Sequence, residues 1–487
     1  MSIKQKALKG IVWSVIQQWG GQAISLIIFL VLARLLTPEA FGLLSLANLF
    51  LAFMQIFLEQ GFSQALIQRK DLEPEHLDSA FWTHLVSGIF LTIIGVAISG
   101  LVAEIFSQSK LIPILQCFSF LFFINSLGHV PQAILTRNMA FKIMAVRILV
   151  AIVISGIVGV VMALNGFGVW SLVSQQFVFQ SVVVLVVWGT VNWRPRFRFS
   201  QKHFQDLLNF SIHVLAFKFL KFFHKRSDSL LIGYFLGEVA LGYYAIAYRV
   251  LEVMTQLLVG TCNQVALPTF ARLQTEPKLF RQAFYKATQF TSVIAIPTFA
   301  GMAALTPELV KLLFGEKWLP SVPIMQILAF VGILYSLLNF NWSAFIAMGK
   351  PSWRFWLTLL TATLNIVACL LAVRWGIVAV ALGYLMSDYL AFPVCLWALN
   401  KLIKVSLVNY LQQFVTPVIG SIVMVTGILI VKYFLANLMN TPALLLVGTV
   451  SGALIYGGFI RFLNPKLFWY LLDLVSLTLS KPKKQSS

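Results

Sequence analysis

The chain has 487 residues, of which 59% are hydrophobic and 11% charged, and a formal net charge of +20. So much apolar sequence excludes a water-soluble globular fold, and long runs without alternation exclude a transmembrane β-barrel, which leaves an all-α polytopic membrane protein. The positive charge has two readings: Lys and Arg collected in cytoplasmic loops, or attraction to anionic headgroups or a phosphorylated lipid substrate.

The basic start, Met1 to Lys9, leads into an apolar run reaching Leu32 with no small-residue cleavage pattern. It reads as a first membrane helix rather than a signal peptide. Fourteen runs of membrane length are expected in all. Six lie at 10–33, 42–66, 80–103, 111–135, 144–164 and 168–191, and six more at 209–236, 241–265, 286–313, 322–347, 355–373 and 376–399. The last two are 409–432 and 443–463. With the N-terminus in the cytoplasm, 25 Lys and Arg fall on inside segments, Arg147 among them, and 6 on outside segments. That split predicts an even number of spans with both termini inside.

The connections are short, and none could house a soluble catalytic domain. Arg194-Pro195-Arg196-Phe197-Arg198-Phe199 interleaves basic and aromatic residues at the joint between halves. Beside a membrane helix that composition suits the interface rather than a nucleic acid. The expected organisation is an N-lobe over 1–200, a C-lobe over 201–405, and two further helices with a basic tail over 406–487. An internal repeat at an offset of 200 supports it: Leu36, Ala40, Gly42 and Ala47 recur as Leu236, Ala240, Gly242 and Ala247. Both copies sit between the first two helices of a half, as expected for parallel six-helix lobes around a central cavity.

Polar residues inside apolar runs are the main clue to function, because a charge at the bilayer centre costs about 2.5–3.5 kcal/mol on insertion scales. On the seventh helix Lys218, Lys221, His224, Lys225 and Asp228 share one face, with Arg226 beside them; Phe219, Leu220, Phe222 and Phe223 take the other, expected to face lipid. Two explanations stand: a cationic cavity wall, or lysines reaching the interface. The second helix carries a fainter stripe of Ser45, Asn48, Gln55, Glu59 and Ser63. Its counterpart carries Arg249, Glu252, Gln256 and Asn263, where Arg249 and Glu252 are spaced to pair. Asp388 stands alone on the twelfth helix. Glu59, Asp228, Glu252 and Asp388 are candidates for ion coupling or for structural ion pairs.

No phosphate-binding loop occurs, since Gly349-Lys350 is followed by Pro351. The six histidines are scattered, and Cys117, Cys262, Cys369 and Cys395 lie far apart in apolar segments. The chain is therefore expected to hold no metal, cofactor or catalytic residue.

Three stretches carry a resemblance. His224 to Gly237 with Ala240 to Arg249, Leu35 to Gly42, and Leu312 to Pro320 with its Gly315-Glu316-Lys317-Trp318 core resemble the polysaccharide transporter family. This is the Wzx-type branch of the multidrug/oligosaccharidyl-lipid/polysaccharide flippase superfamily, with colanic-acid-exporter-like members most similar. The resemblance implies two six-helix lobes, two extra helices and a central cationic cavity. It implies translocation of an undecaprenyl-pyrophosphate-linked oligosaccharide across the bacterial plasma membrane by alternating access, usually coupled to an ion gradient. The partners implied are that substrate, membrane lipids, and polysaccharide polymerase or export machinery. Lys218, Lys221, Lys225, Arg226 and Arg249 correspond to its basic positions and Asp228 to its seventh-helix acid. The charge cluster then places the anionic end of the cargo mainly on the second lobe. A multidrug-type antiporter shares the architecture but takes cationic drugs in an acid-lined cavity. A membrane enzyme would carry a large outer loop.

Overall fold

The computed structural model describes residues 3–58, 62–69, 71–465 and 469, with side chains described except at 3–11, 63, 64, 68, 202–217, 261–265 and 351. Every described element is a helix. In the first half these are α1 (Ile3–Leu35), α2 (Pro38–Leu58), α3 (Phe62–Gln68), α4 (Pro74–Ile105), α5 (Leu111–Arg137), α6 (Phe141–Leu164) and α7 (Val169–Thr190). Then come α8 (Gln201–Arg272), α9 (Pro277–Leu313), α10 (Val322–Ala347), α11 (Pro351–Ala372), α12 (Ile377–Ile403), α13 (Leu407–Leu435) and α14 (Thr441–Leu463). Among the described residues, 13 helices are long and apolar enough to cross a membrane, so this is a multi-pass membrane protein.

One of the 13 stretches, Lys218–Gly260 in α8, has 43 residues. At 1.5 Å per residue that is about 65 Å, roughly two hydrocarbon thicknesses. Gly237 interrupts it with φ 82° and ψ −178°, a backbone setting that suits glycine and strains other residues. The connection expected between the runs 209–236 and 241–265 is therefore a break at Gly237 between two arms of α8.

Several helices outrun their apolar runs. α4 starts at Pro74 rather than 80, and α9 at Pro277 rather than 286. In each, proline at the helix start presets φ and leaves no N–H to satisfy. At α4 the Glu73 amide also donates to His76 Nδ1, 3.2 Å away. Such polar first turns carry no hydropathy signal. The expected run 42–66 is covered by α2 as far as Leu58 and by α3 from Phe62, and residues 59–61 between them lie outside the described residues. Glu59 lies outside the described residues, as do the side chains of Ser63 and Asn263.

The chain forms two compact units. One comprises Met1–Ile246 and Thr358–Tyr384. In it α4 lies along α5, and α6 lies between α1 and α7. The basic-aromatic joint is tied down here along one face of the first turns of α4. Trp82 Nε1 donates to the Arg196 carbonyl at 2.8 Å, the Arg196 amide donates to Asp78 at 3.2 Å, and the Ser200 amide donates to Ser79 Oγ at 3.0 Å. Phe197 stacks on Trp82 with centroids 4.7 Å apart. The two copies of the repeated turn also meet inside this unit, Gly42 against the Glu238 backbone and Gly242 against that of Pro38.

The other unit comprises Ala247–Leu357 and Leu385–Ser487. There α9 packs against α10, α13 and α14 around Phe270, Phe284, Phe340 and Tyr410. A largely buried ion pair, Lys432–Glu308 at 2.8 Å, fastens α13 to α9.

Candidate functional site

The first unit holds a cavity of about 320 Å³. Four basic side chains line it: His84 of α4, His129 of α5, Arg147 of α6 and Lys218 of α8. Gln55, Asn125, Gln132 and Gln180 add carboxamides, and Val183, Val184 and Val187 an apolar strip. Among the described lining residues none is acidic. The arrangement offers two fixed cations, Arg147 and Lys218, and neutral donors to an anion, with amides able to bond hydroxyl groups.

Arg147 is the most unusual member. It lies two turns into α6 with only 2% of its surface exposed. Arg147, Ala151, Ser155 and Gly159 recur every four residues and so share the buried face. Small residues beyond Arg147 let neighbouring helices close in, which carries the guanidinium inside the bundle. Its Nε and Nη1 are buried without a hydrogen-bond partner. Buried polar groups are as a rule bonded, and a guanidinium with unmet donors at a cavity fits a carboxylate or phosphoryl oxygen. His84, 1% exposed, stacks on His129 at 4.7 Å and 19°.

Structure divides the expected cationic stripe. Of its basic residues Lys218 lines this cavity, whereas Lys221, Lys225 and Arg226 are exposed. His224 Nδ1 lies 3.4 Å from Thr361 Oγ1. Arg249, in the other unit, pairs with Glu252 at 2.9 Å as its spacing predicted. Phe219 and Phe222 do not face lipid: they pack on Phe53 and Phe57 of α2 with centroids 5.3–5.7 Å apart. The long, amphipathic α8 turns its aromatic side to a neighbouring helix because α2 offers a matching pair of rings.

Asp228 is 1% exposed and accepts hydrogen bonds from the Tyr244 hydroxyl at 2.5 Å and the Ser229 amide at 2.6 Å. Asp228 and Tyr244 stand on opposite sides of the Gly237 break, so the bond ties the two arms of α8. Beside it Ser227 Oγ donates to Asn365 Oδ1 of α11 at 2.9 Å. Tyr244→Phe removes a buried donor to a carboxylate and is expected to destabilise the protein by about 1.5–3 kcal/mol. Thermal unfolding in detergent checks this, and an unchanged midpoint would contradict it. Of the other expected polar positions, Gln55 lines the cavity, Asn48 is half-buried on α2, Glu252 is exposed, and Asp388 is 5% exposed on α12 in the second unit.

Sequence reasoning missed Arg147, His84 and His129. Arg147 belongs inside α6, not on the cytoplasmic loop where the charge count put it. The first half is also not without cations, so the expectation that charge sits mainly on the second lobe does not hold for this cavity. Arg147 had a signal: it falls within the apolar run 144–164 and heads a stripe of small residues. The histidines had none, because three helices bring them together.

Residues 31–323 match the family described as polysaccharide biosynthesis protein. The teichuronic acid biosynthesis protein TuaB of Bacillus subtilis is 26% identical over 462 residues, covering 93% of this chain and 95% of TuaB. The succinoglycan biosynthesis transport protein ExoT of Rhizobium meliloti is 26% identical over 473 residues, covering 95% of this chain and 94% of ExoT. Among solved structures, the lipid II flippase MurJ in an inward closed conformation superposes with a TM-score of 0.77 at 17% identity, over 94% of this chain and 99% of that one. The last likeness is one of fold.

Proposed function

The chain belongs to the polysaccharide biosynthesis protein family, and from that membership we propose that it flips a lipid-linked oligosaccharide across the membrane for polysaccharide biosynthesis. The observation that carries this reading is the buried guanidinium of Arg147, with unmet donors, beside Lys218 in a cavity whose described lining has no carboxylate. An anionic link between lipid and glycan is the group such a site would hold. We take that link to be the pyrophosphate of an undecaprenyl carrier, whose two charges would balance Arg147 and Lys218. The carboxamides would bond the first sugar's hydroxyls. A basic lining also disfavours the cationic cargo of drug antiporters.

Movement follows alternating access coupled to an ion gradient, with Asp228 as the coupling acid because it is the buried carboxylate at the tie between the arms of α8. Both termini lie in the cytoplasm, and the membrane is the bacterial plasma membrane. Polymerase or export machinery would take the flipped product.

Deleting the gene in its host tests the reading. Surface polysaccharide should disappear, lipid-linked oligosaccharide should accumulate in the membrane, and a plasmid copy should reverse both. Normal polysaccharide with no accumulation would overturn it.

A further inference from the structure

We propose that the end of the second unit where α11 begins and α12 ends binds one anionic phospholipid of the surrounding membrane, with Lys401 and Arg354 on its phosphate and an apolar stripe of α12 beneath an acyl chain.

Three connections meet at this end. Arg281 of α9 donates to the Ile403 carbonyl at 3.4 Å, and the Ser406 amide donates to the Tyr285 hydroxyl at 3.0 Å. The start of α9 is thus bound to the link between α12 and α13. Trp353 joins them, packed on the cluster that holds Phe345, Leu399 and Ile403. Lys278, Lys286, Lys350 and Lys404 add charge, and Glu276 is the one acid in the connections 273–276, 348–350 and 404–406. Such a surplus is common at the inside end of a membrane protein and by itself selects no ligand.

The mounting of Lys401 is what selects one. Its Nζ lies 5.3 Å from the ring centroid of Trp397 and 5.8 Å from that of Trp353, and the two rings are 6.0 Å apart. Arg354, next to Trp353 in the chain, sets its guanidinium 5.7 Å from the ring of Trp342. A cation held over a ring face keeps its N–H donors for an anion. Indoles settle at the headgroup level of a membrane, so these two charges are fixed at the depth of lipid phosphates. The ion pairs among the described residues do not include Lys401. Below it runs the second half of the site. Met386, Leu390, Val394, Trp397 and Lys401 follow at steps of four, four, three and four residues, which keeps them on one face of α12. The first four are exposed apolar side chains. At 1.5 Å per residue the stripe is about 22 Å long, more than half the hydrocarbon thickness. An acyl chain can lie along it while the phosphate meets Lys401 and Arg354. A soluble phosphate or an acidic peptide would leave the stripe unused, and a zwitterionic lipid would bring its own ammonium against Lys401. By the sidedness proposed above, the lipid belongs to the inner leaflet.

Native mass spectrometry of the full chain, incubated in detergent with phosphatidylglycerol or phosphatidylcholine of the same acyl chains, tests this whatever the chain transports. Wild type should retain one phosphatidylglycerol several-fold more strongly than phosphatidylcholine. Lys401→Gln and Arg354→Gln should each weaken that retention about fivefold, the effect of one basic side chain at a membrane surface, and together should bring the two lipids level. Lys278→Gln removes an equal charge from an exposed position on the first turn of α9 and should change nothing. Equal retention of both lipids by wild type, or an equal loss in Lys278→Gln, would mean diffuse attraction to basic loops and overturn the proposal. Displacement of the phosphatidylglycerol by an equal concentration of a polyprenyl pyrophosphate would overturn it too, since the site would then belong to the cargo. The melting midpoint of the wild-type chain requires no variant to fold. It should rise with phosphatidylglycerol and not with phosphatidylcholine; a midpoint moved equally by both, or by neither, would contradict the site.

Discussion

Arg147→Gln is expected to lower polysaccharide export at least about tenfold, the loss of one charge-assisted hydrogen bond to a ligand, without lowering the amount of protein in the membrane. The two effects separate because of how Arg147 is placed. A buried cation that braces the fold is bonded, and its removal destabilises by several kcal/mol because a partner charge is left alone. Arg147 has two donors without partners and 2% of its surface exposed. Neutralising it removes a desolvated charge, so thermal stability should hold or rise. Lysine there keeps the charge and loses the planar fork, and should retain part of the export. Lys218→Gln should behave like Arg147→Gln, since both line the cavity. Surface polysaccharide, membrane protein level and melting midpoint, measured on the same variants, decide it. A drop in protein level that matches the drop in export would return Arg147 to a structural role.

Asp228→Asn is the second large effect: export should fall to background while stability drops by only about 1 kcal/mol, as for a charge-assisted hydrogen bond exchanged for a neutral one. The reason is geometric. Asp228 uses one oxygen for the Ser229 amide and the other for the Tyr244 hydroxyl. An asparagine can accept from the amide through Oδ1 and donate to the tyrosine oxygen through Nδ2, so the tie between the arms survives. What it cannot do is gain and lose charge, or neutralise a cation, which a coupling acid must do. Asp228→Ala leaves the hydroxyl buried without its acceptor and should lose both stability and export. Normal, gradient-responsive export by Asp228→Asn would make the residue a brace only.

Much of the fold was legible because lipid imposes a single period and a single length on every span. The break at Gly237 and the Arg249–Glu252 pair are local features, and each appears where the sequence placed it. Helix starts such as Pro74 and Pro277 were not legible from hydropathy, since polar turns outside the apolar run extend those helices. The site was half legible. Lys218 announced itself as a charge deep in an apolar run. Its companions did not: Arg147 sat close enough to a predicted boundary to pass for a loop residue, and His84 and His129 are 45 residues apart in sequence yet stacked at 4.7 Å. Side-chain convergence across α4, α5, α6 and α8 is a property of packing. Periodicity, which reads one helix at a time, cannot supply it. The aromatic face of α8 failed for the same reason, because its partner rings on α2 lie far away in sequence.

The central claim is tested most directly in proteoliposomes containing the purified chain and a polyprenyl-pyrophosphate-linked oligosaccharide with a fluorescent sugar, by following how much of the label a membrane-impermeant quencher reaches over time. The wild-type chain should carry the initially protected label to the quenched leaflet, and the Arg147→Gln and Lys218→Gln proteins, equally reconstituted, should move it no faster than empty vesicles. Equal rates for wild type, variants and empty vesicles, with the substrate intact, would contradict the claim.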